Sequence, residues 1–184
     1  KTRPTSSKVR EAIINIIGNK LKEASWLDLC SGSGAMACEA LQKGVKRILA
    51  IEKQRETAKT CKRNLIEVSN TMDHSIHVQV ICNELISFLK KGPKNKTIGF
   101  TKDSLSPDTK FDFIFLDPPY DSGLYELSQE LLLSKQWIKK STILICECSS
   151  KSMPRIHNGW KLNKEKFYGN TSLLFLIPNQ ALNC

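Results

Sequence analysis

Ser25-Trp26-Leu27-Asp28-Leu29-Cys30-Ser31-Gly32-Ser33-Gly34, continued by Ala35-Met36-Ala37-Cys38-Glu39-Ala40-Leu41-Gln42-Lys43-Gly44, reads as a strand, a glycine turn and a helix. The apolar run from Ser25 to Cys30 predicts a strand buried on both faces, and Ala35 to Lys43 a helix that stops at Gly44. The chain then repeats the pattern. Lys46 to Ile51 predicts a second strand closed by Glu52, Glu56 to Val68 a helix, Ile76 to Ile81 a third strand, and Glu84 to Lys91 a short helix. A fourth strand, Phe111 to Leu116, runs straight into Asp117-Pro118-Pro119-Tyr120. A helix near Leu124 to Leu133 and a fifth strand, Thr142 to Glu147, follow. Trp160 to Phe167 and Ser172 to Ile177 predict an antiparallel pair around Tyr168-Gly169-Asn170-Thr171. Ahead of the glycine turn, Val9, Ala12, Ile13, Ile16, Ile17 and Leu21 have helical spacing. They predict a basic amphipathic helix within residues 1–22, from Thr5 to about Lys22, with Ser6 or Ser7 as its cap.

Strands alternating with helices, and apolar on both faces, imply a doubly wound α/β fold whose parallel sheet is covered on each side. Ligands bind such sheets at the carboxyl ends of the strands, so the glycine turn and Asp117 to Tyr120 should face one cleft. With 184 residues, 40% hydrophobic, the chain suffices for one core and is short for two, so a single domain is expected over 1–184. Residues 92–110, rich in lysine and helix breakers, predict a mobile surface loop.

The balance of 28 basic against 18 acidic residues leaves a net charge of +10, a field that attracts polyanions, nucleic acid first. No apolar run approaches the ~20 residues of a bilayer span, so no membrane association is expected and the location is taken as cytoplasmic. Seven cysteines lie at irregular spacings without a C-x-x-C pair, and are expected to be reduced. No metal is expected: Cys146 and Cys148 are read as lying on alternate faces of a strand, and His74 with His77 forms only a lone pair.

Gly32 to Ala37 fits the G-x-G-x-x-A dinucleotide fingerprint, and Glu52 follows 18 residues after Gly34. Asp28, however, ends the strand just before the turn, where its charge repels a pyrophosphate and suits a cationic ligand. S-adenosylmethionine carries an ammonium and a sulfonium. In that scheme the backbone of Cys30, Ser31, Gly32, Ser33 and Gly34 approaches the ligand, and Glu52, with Lys53 beside it, accepts from the ribose hydroxyls. Asn83, followed by Glu84 past the third strand, offers an acceptor and a donor to the adenine edge.

Asp117-Pro118-Pro119-Tyr120 is the most specific feature. Two prolines remove two backbone donors and stiffen the turn. An exocyclic base amine is a poor nucleophile because its lone pair is delocalised; one acceptor for each N–H pyramidalises it. The Asp117 carboxylate and the Pro118 carbonyl supply those acceptors, while Tyr120 offers a stacking face worth about 1–3 kcal/mol. A base inside a duplex could not reach the turn, so the target is flipped out or single-stranded.

Together with Arg3-Pro4-Thr5-Ser6, Val9-Arg10-Glu11-Ala12 and Tyr168-Gly169-Asn170-Thr171, these motifs resemble the RsmD-type 16S rRNA guanine-N2 methyltransferases of bacteria, over nearly the whole chain. The resemblance implies a class I (Rossmann-like) S-adenosylmethionine-dependent methyltransferase fold, with a mostly parallel seven-stranded sheet and an antiparallel C-terminal strand. It implies N2-methylation of one guanosine in 16S rRNA of the small ribosomal subunit; separately, the protein is expected to be a monomer. It also implies that Arg3, Pro4, Thr5 and Arg10 border the entrance for cofactor and substrate. Two departures stand out. The family usually carries a further basic strand ahead of Arg3, and many members have aspartate where this sequence has Asn83. Three other functions compete: an adenine-N6 methyltransferase of DNA or RNA, which Asp-Pro-Pro-Tyr serves equally well, an RNA-binding protein with a decayed cofactor site, and a nicotinamide oxidoreductase.

Overall fold

A computed structural model describes residues 5–72, 76–94, 98–99, 109–119 and 123–179. Helix α1 (Ser7–Ile17) starts at Ser6, whose hydroxyl accepts from the Val9 N–H at 3.3 Å. It ends earlier than its apolar spacing suggests. Gly18 adopts a φ of 58°, which breaks the helical ladder, and a 3-10 turn over Gly18–Leu21 carries Leu21 into the core instead.

Strands β1 (Ser25–Asp28), β2 (Arg47–Glu52), β3 (His77–Cys82), β4 (Phe111–Leu116), β5 (Ile138–Ser149), β6 (Trp160–Tyr168) and β7 (Thr171–Pro178) form one seven-stranded sheet in the order β3-β2-β1-β4-β5-β7-β6. Strands β1 to β5 pair in parallel, while β7 runs antiparallel to both β5 and β6. Helices α2 (Ala35–Gln42), α3 (Arg55–Ser69), α4 (Leu85–Lys90) and α5 (Leu124–Ser134) connect them. The strand order reverses between β1 and β4, and that reversal opens the crevice in which such sheets hold ligands.

Alternation along the strands feeds two cores. Trp26, Ile48, Phe113, Phe115 and Ile145 pack toward α1, α2 and α3, and Leu27, Leu49, Ile114, Leu116 and Leu144 toward α4 and α5. At about 1.5–3 kcal/mol for each fully buried large aliphatic or aromatic side chain, these two layers supply the main driving force for the fold. Cys146 and Cys148 sit in the same core, not on alternate faces, because residues two apart on a strand point the same way. Strand β5 begins at Ile138, before the apolar run, since Lys139 joins the sheet and reaches Asp112 with its ammonium at 2.9 Å. Much of 92–110 lies outside the described residues, but Ile98 is buried and the Gly99 N–H donates to Gln79 Oε1 at 2.8 Å, so this part of the expected loop is anchored. Among the described residues no helix is long and apolar enough to cross a membrane, and no cluster of three metal-ligating side chains occurs.

Candidate active site

The turn after β1 is tied to both neighbouring strands. The Leu29 N–H donates to the Phe115 carbonyl at 3.0 Å and the Ser31 N–H to the Ile51 carbonyl at 2.9 Å, while the Asn64 side chain donates from α3 to the Ser33 carbonyl at 2.9 Å. Its two glycines have different tasks. Gly32, at a φ of 51°, lines a cleft of about 590 Å³, and a Cβ there would meet nothing within 4 Å. Gly34, at a φ of 82°, caps α2, and a Cβ would lie 2.8 Å from Cys61 Sγ. Gly34 thus lets α2 pack on α3, and its neighbours Ser33 and Ala35, not Gly34 itself, are among the residues lining the cleft.

Asp28 forms the floor of the cleft. Its side chain is 1% exposed and neither carboxylate oxygen meets a hydrogen-bond partner among the described residues. Burial pushes its pKa from 3.8 up to about 7; the nearby Cys30 N–H, short of hydrogen-bonding geometry, lowers it, and the charge of Glu52 raises it. A buried acceptor left in this condition is poised for a donor or cation from outside the chain. At the end of β2, Glu52 lines the cleft and accepts from the Gly32 N–H at 3.0 Å and the Gln54 N–H at 2.8 Å, one bond to each oxygen, so each keeps a second acceptor site.

Cys30, Ser31, Ser33, Lys53, Asn83 and Glu84 also line the cleft. Glu84 caps α4: its carboxylate accepts from the Ile86 and Ser87 N–H groups at 3.1 and 2.8 Å. Burial would raise the Glu84 pKa, but the hydrogen bonds from Ser87 and Ile86 and the charge of Lys53 outweigh it and hold the carboxyl below its ordinary value. Asn83 Oδ1 accepts from the Glu84 N–H at 2.9 Å, leaving the amide nitrogen as the free end of that side chain.

Across the cleft, Asp117 follows β4 directly, with Pro119 beside it in the lining. Burial, then the charge of Glu147, push the Asp117 carboxyl well above the usual range; a hydrogen bond from Thr5 opposes this and Asp28 adds to it. The Thr5 hydroxyl donates to Asp117 Oδ2 at 3.2 Å, so the segment before α1 reaches the Asp-Pro-Pro turn itself. Arg10 does not line the cleft. Its Nε is paired with Glu39 at 2.5 Å, and its Nη1 donates to the Thr5 carbonyl at 2.6 Å, which holds Thr5 in place. Pro118 is buried, and its carbonyl lies 3.4 Å from the Tyr125 hydroxyl, which donates at 2.6 Å to the Glu147 carbonyl. Arg3, Pro4 and Tyr120 lie outside the described residues. Sequence reasoning missed Tyr125 and Glu147; the one signal was an acidic residue at the close of the apolar run of β5.

A family model described as conserved hypothetical protein 95 matches residues 1–177. The ribosomal RNA small subunit methyltransferase D of Buchnera aphidicola subsp. Baizongia pistaciae is 33% identical over 167 residues, spanning 89% of this chain and 75% of that protein. The protein of the same name from Haemophilus influenzae is 30% identical over 171 residues, 92% of this chain and 80% of that one. The chain belongs to this family, RsmD. Among solved structures, the putative methyltransferase yhhF from Escherichia coli superposes with a TM-score of 0.78 at 24% identity, over 97% of this chain and 89% of that one. An RNA methyltransferase from Salinibacter ruber, solved with S-adenosyl-L-homocysteine, reaches 0.63 at 14% identity over 97% and 95% of the two chains. These likenesses agree with the sheet order above: the RsmD chain has the class I methyltransferase fold.

Proposed function

We propose that the protein is an S-adenosylmethionine-dependent rRNA methyltransferase that transfers a methyl group to the exocyclic N2 amine of one guanosine in 16S rRNA of the small ribosomal subunit. The observation that carries this reading is a pair of carboxylates, Asp28 after the glycine turn and Asp117 at the Asp-Pro-Pro turn, both raised by burial and both lining one cleft. The names of the family relatives, ribosomal RNA small subunit methyltransferase D, support rRNA as the substrate.

The residues present fit the cofactor. The unsatisfied Asp28 carboxylate suits a cationic end, the space above Gly32 suits close backbone approach, and Glu52 retains lone pairs for a pair of hydroxyls. Asn83, Cys30, Ser31 and Ser33 close the walls, with Lys53 and Glu84 at the rim. When bound, S-adenosylmethionine supplies an electrophilic methyl group on a sulfonium. The chain's own task is to aim the amine. Asp117 Oδ1 accepts from one N–H and the Pro118 carbonyl from the other, which localises the lone pair on nitrogen; Thr5 holds the second Asp117 oxygen still. Tyr120 is proposed to stack on the base. Most of the acceleration then comes from alignment and oriented acceptors rather than from a strong base. After transfer the amine carries an extra proton, and Asp117, with its raised pKa, is suited to take it. The basic surface, +10 overall, attracts the RNA.

The experiment is transfer of a labelled methyl group to small subunits lacking modification, followed by nucleoside analysis. N2-methylguanosine in 16S rRNA is expected; label on adenine N6 would overturn the guanine assignment, and absence of label with bound cofactor the rRNA assignment.

A further inference from the structure

Guanine and adenine both present an exocyclic amine, but their adjacent ring nitrogens differ. N1 of guanine bears a proton and donates, whereas N1 of adenine accepts. Asp-Pro-Pro-Tyr handles the amine alone and is blind to this difference. A guanine enzyme of this kind therefore needs one more acceptor next to Asp117, whose Oδ1 is turned to the amine and whose Oδ2 accepts from the Thr5 hydroxyl.

Glu147 stands where that acceptor is needed. Strands β4 and β5 run parallel with Leu116 opposite Cys146, so the next residues on each, Asp117 and Glu147, continue side by side at the carboxyl edge of the sheet. Leu116 and Cys146 point into the core beneath α4 and α5, which turns Asp117 and Glu147 to the opposite face, where α1 and its leading segment lie. The Tyr125 hydroxyl ties the two strand ends together, donating to the Glu147 carbonyl at 2.6 Å and lying 3.4 Å from that of Pro118. A second cavity of about 230 Å³ opens on Glu147, bounded by Ser6, Lys8 and Val9 of the α1 start and by Tyr168, Gly169 and Thr171 of the hairpin, while Asp117 lines the larger cleft next to it. Glu147 is 4% exposed and has no part in aiming the amine. The rise that its charge imposes on Asp117 agrees with their closeness.

We infer that this cavity seats the guanine ring and that the Glu147 carboxylate accepts from guanine N1–H, making Glu147 the residue that selects guanine over adenine. The inference rests on the guanine-N2 reading above and adds to it the residue that reads the base. Adenine in the same seat would set its N1 lone pair against a buried carboxylate, and a site built to receive a donor rejects an analogue that lacks it. Lys8, exposed at the mouth, is suited to the phosphate of the same nucleotide.

The test replaces the target guanosine, once mapped, by 2-aminopurine riboside in reconstituted small subunits; this base keeps the N2 amine but has an acceptor at N1. The wild-type protein should methylate guanine roughly 100-fold faster than 2-aminopurine. Glu147→Gln, whose amide donates to an N1 acceptor, should lose about that factor on guanine and narrow or reverse the preference, with S-adenosylmethionine affinity within twofold of wild type. An unchanged guanine to 2-aminopurine ratio in Glu147→Gln would overturn the role of Glu147 while leaving guanine-N2 transfer standing. Equal rates for the two bases in the wild-type protein, which needs no variant to fold, would overturn it as well. Wild-type label on adenine N6 instead would remove the guanine-N2 reading and this inference together.

Discussion

Asp28→Asn should stabilise the free protein at neutral and alkaline pH while weakening its hold on S-adenosylmethionine. In the folded chain the Asp28 pKa rises from 3.8 to about 7, because burial strips water from both oxygens and no described residue hydrogen-bonds them. A group raised in this way contributes its stability below the unfolded pKa, and that contribution is lost as pH rises through the folded value. At 1.36 kcal/mol per pKa unit the loss comes to about 4 kcal/mol by pH 8, of which about 3 kcal/mol develops between pH 5 and pH 8. Water in the open cleft makes this an upper bound. Asparagine keeps the shape without the charge, so the variant should gain on wild type by up to about 3 kcal/mol across that interval, roughly 6–12 °C in Tm for a chain this size. Thermal unfolding of both proteins at the two pH values, with and without S-adenosylmethionine, measures the effect. With the ligand the gap should narrow, since only the carboxylate pairs with a cation; a 10- to 100-fold rise in Kd removes about 1.4–2.8 kcal/mol of the variant's gain. A stability difference independent of pH would refute the unpaired, desolvated carboxylate, and an unchanged Kd would refute its place in the cofactor site.

The two glycines should separate by assay. Gly34→Ala, clashing with Cys61 Sγ at a φ of 82°, should cost roughly 2–3 kcal/mol in denaturant unfolding, while Gly32→Ala should cost about 1–2 kcal/mol and lower cofactor affinity more than stability. Asp117→Ala should abolish methyl transfer with cofactor affinity within a few-fold, as read by single-turnover transfer and calorimetry. Thr5→Val should shift the rising limb of the pH–rate profile to higher pH, because the Thr5 hydroxyl holds the Asp117 pKa down, and Thr5→Ser should restore it. Asp112→Ala should cost about 2 kcal/mol at pH 7, since Asp112 accepts from the Ser25 N–H and hydroxyl at 2.9 and 2.7 Å. Burial raises its pKa, but the bonds from Ser25 and Lys139 win and hold it low, so this deficit should fade in urea titrations as pH falls below about 4. RNA affinity should fall steeply with salt, given the +10 charge; a flat response would remove electrostatics as the main attraction.

Much of this arrangement is written in local pattern. The apolar runs before Asp28, Glu52 and Asp117 announce buried strands, and the acidic residue closing each announces its place at the carboxyl edge. Boundaries were less legible where a contact remote in sequence decides them. Strand β5 starts at Ile138 because Lys139 finds Asp112, and α1 stops at Ile17 because Gly18 turns left-handed despite apolar residues beyond it. Arg10 was expected at the entrance, but its guanidinium is taken by Glu39, on a helix whose packing no local pattern specifies. Cys61, on α3, separates the tasks of Gly32 and Gly34, which look alike in sequence.

The sequence by itself determined the doubly wound fold, the order of the motifs and the identity of the two carboxylates facing the cleft, because hydrophobic period and turn chemistry depend on near neighbours. Only the tertiary structure decided that Thr5 restrains Asp117 across 112 residues, that Asp28 lacks a hydrogen-bond partner among the described residues, and that Glu147 lies beside Asp117. Each of these depends on the register of parallel strands joined through long crossovers. Such register is set by the packing of both sheet faces at once, and no single segment contains it.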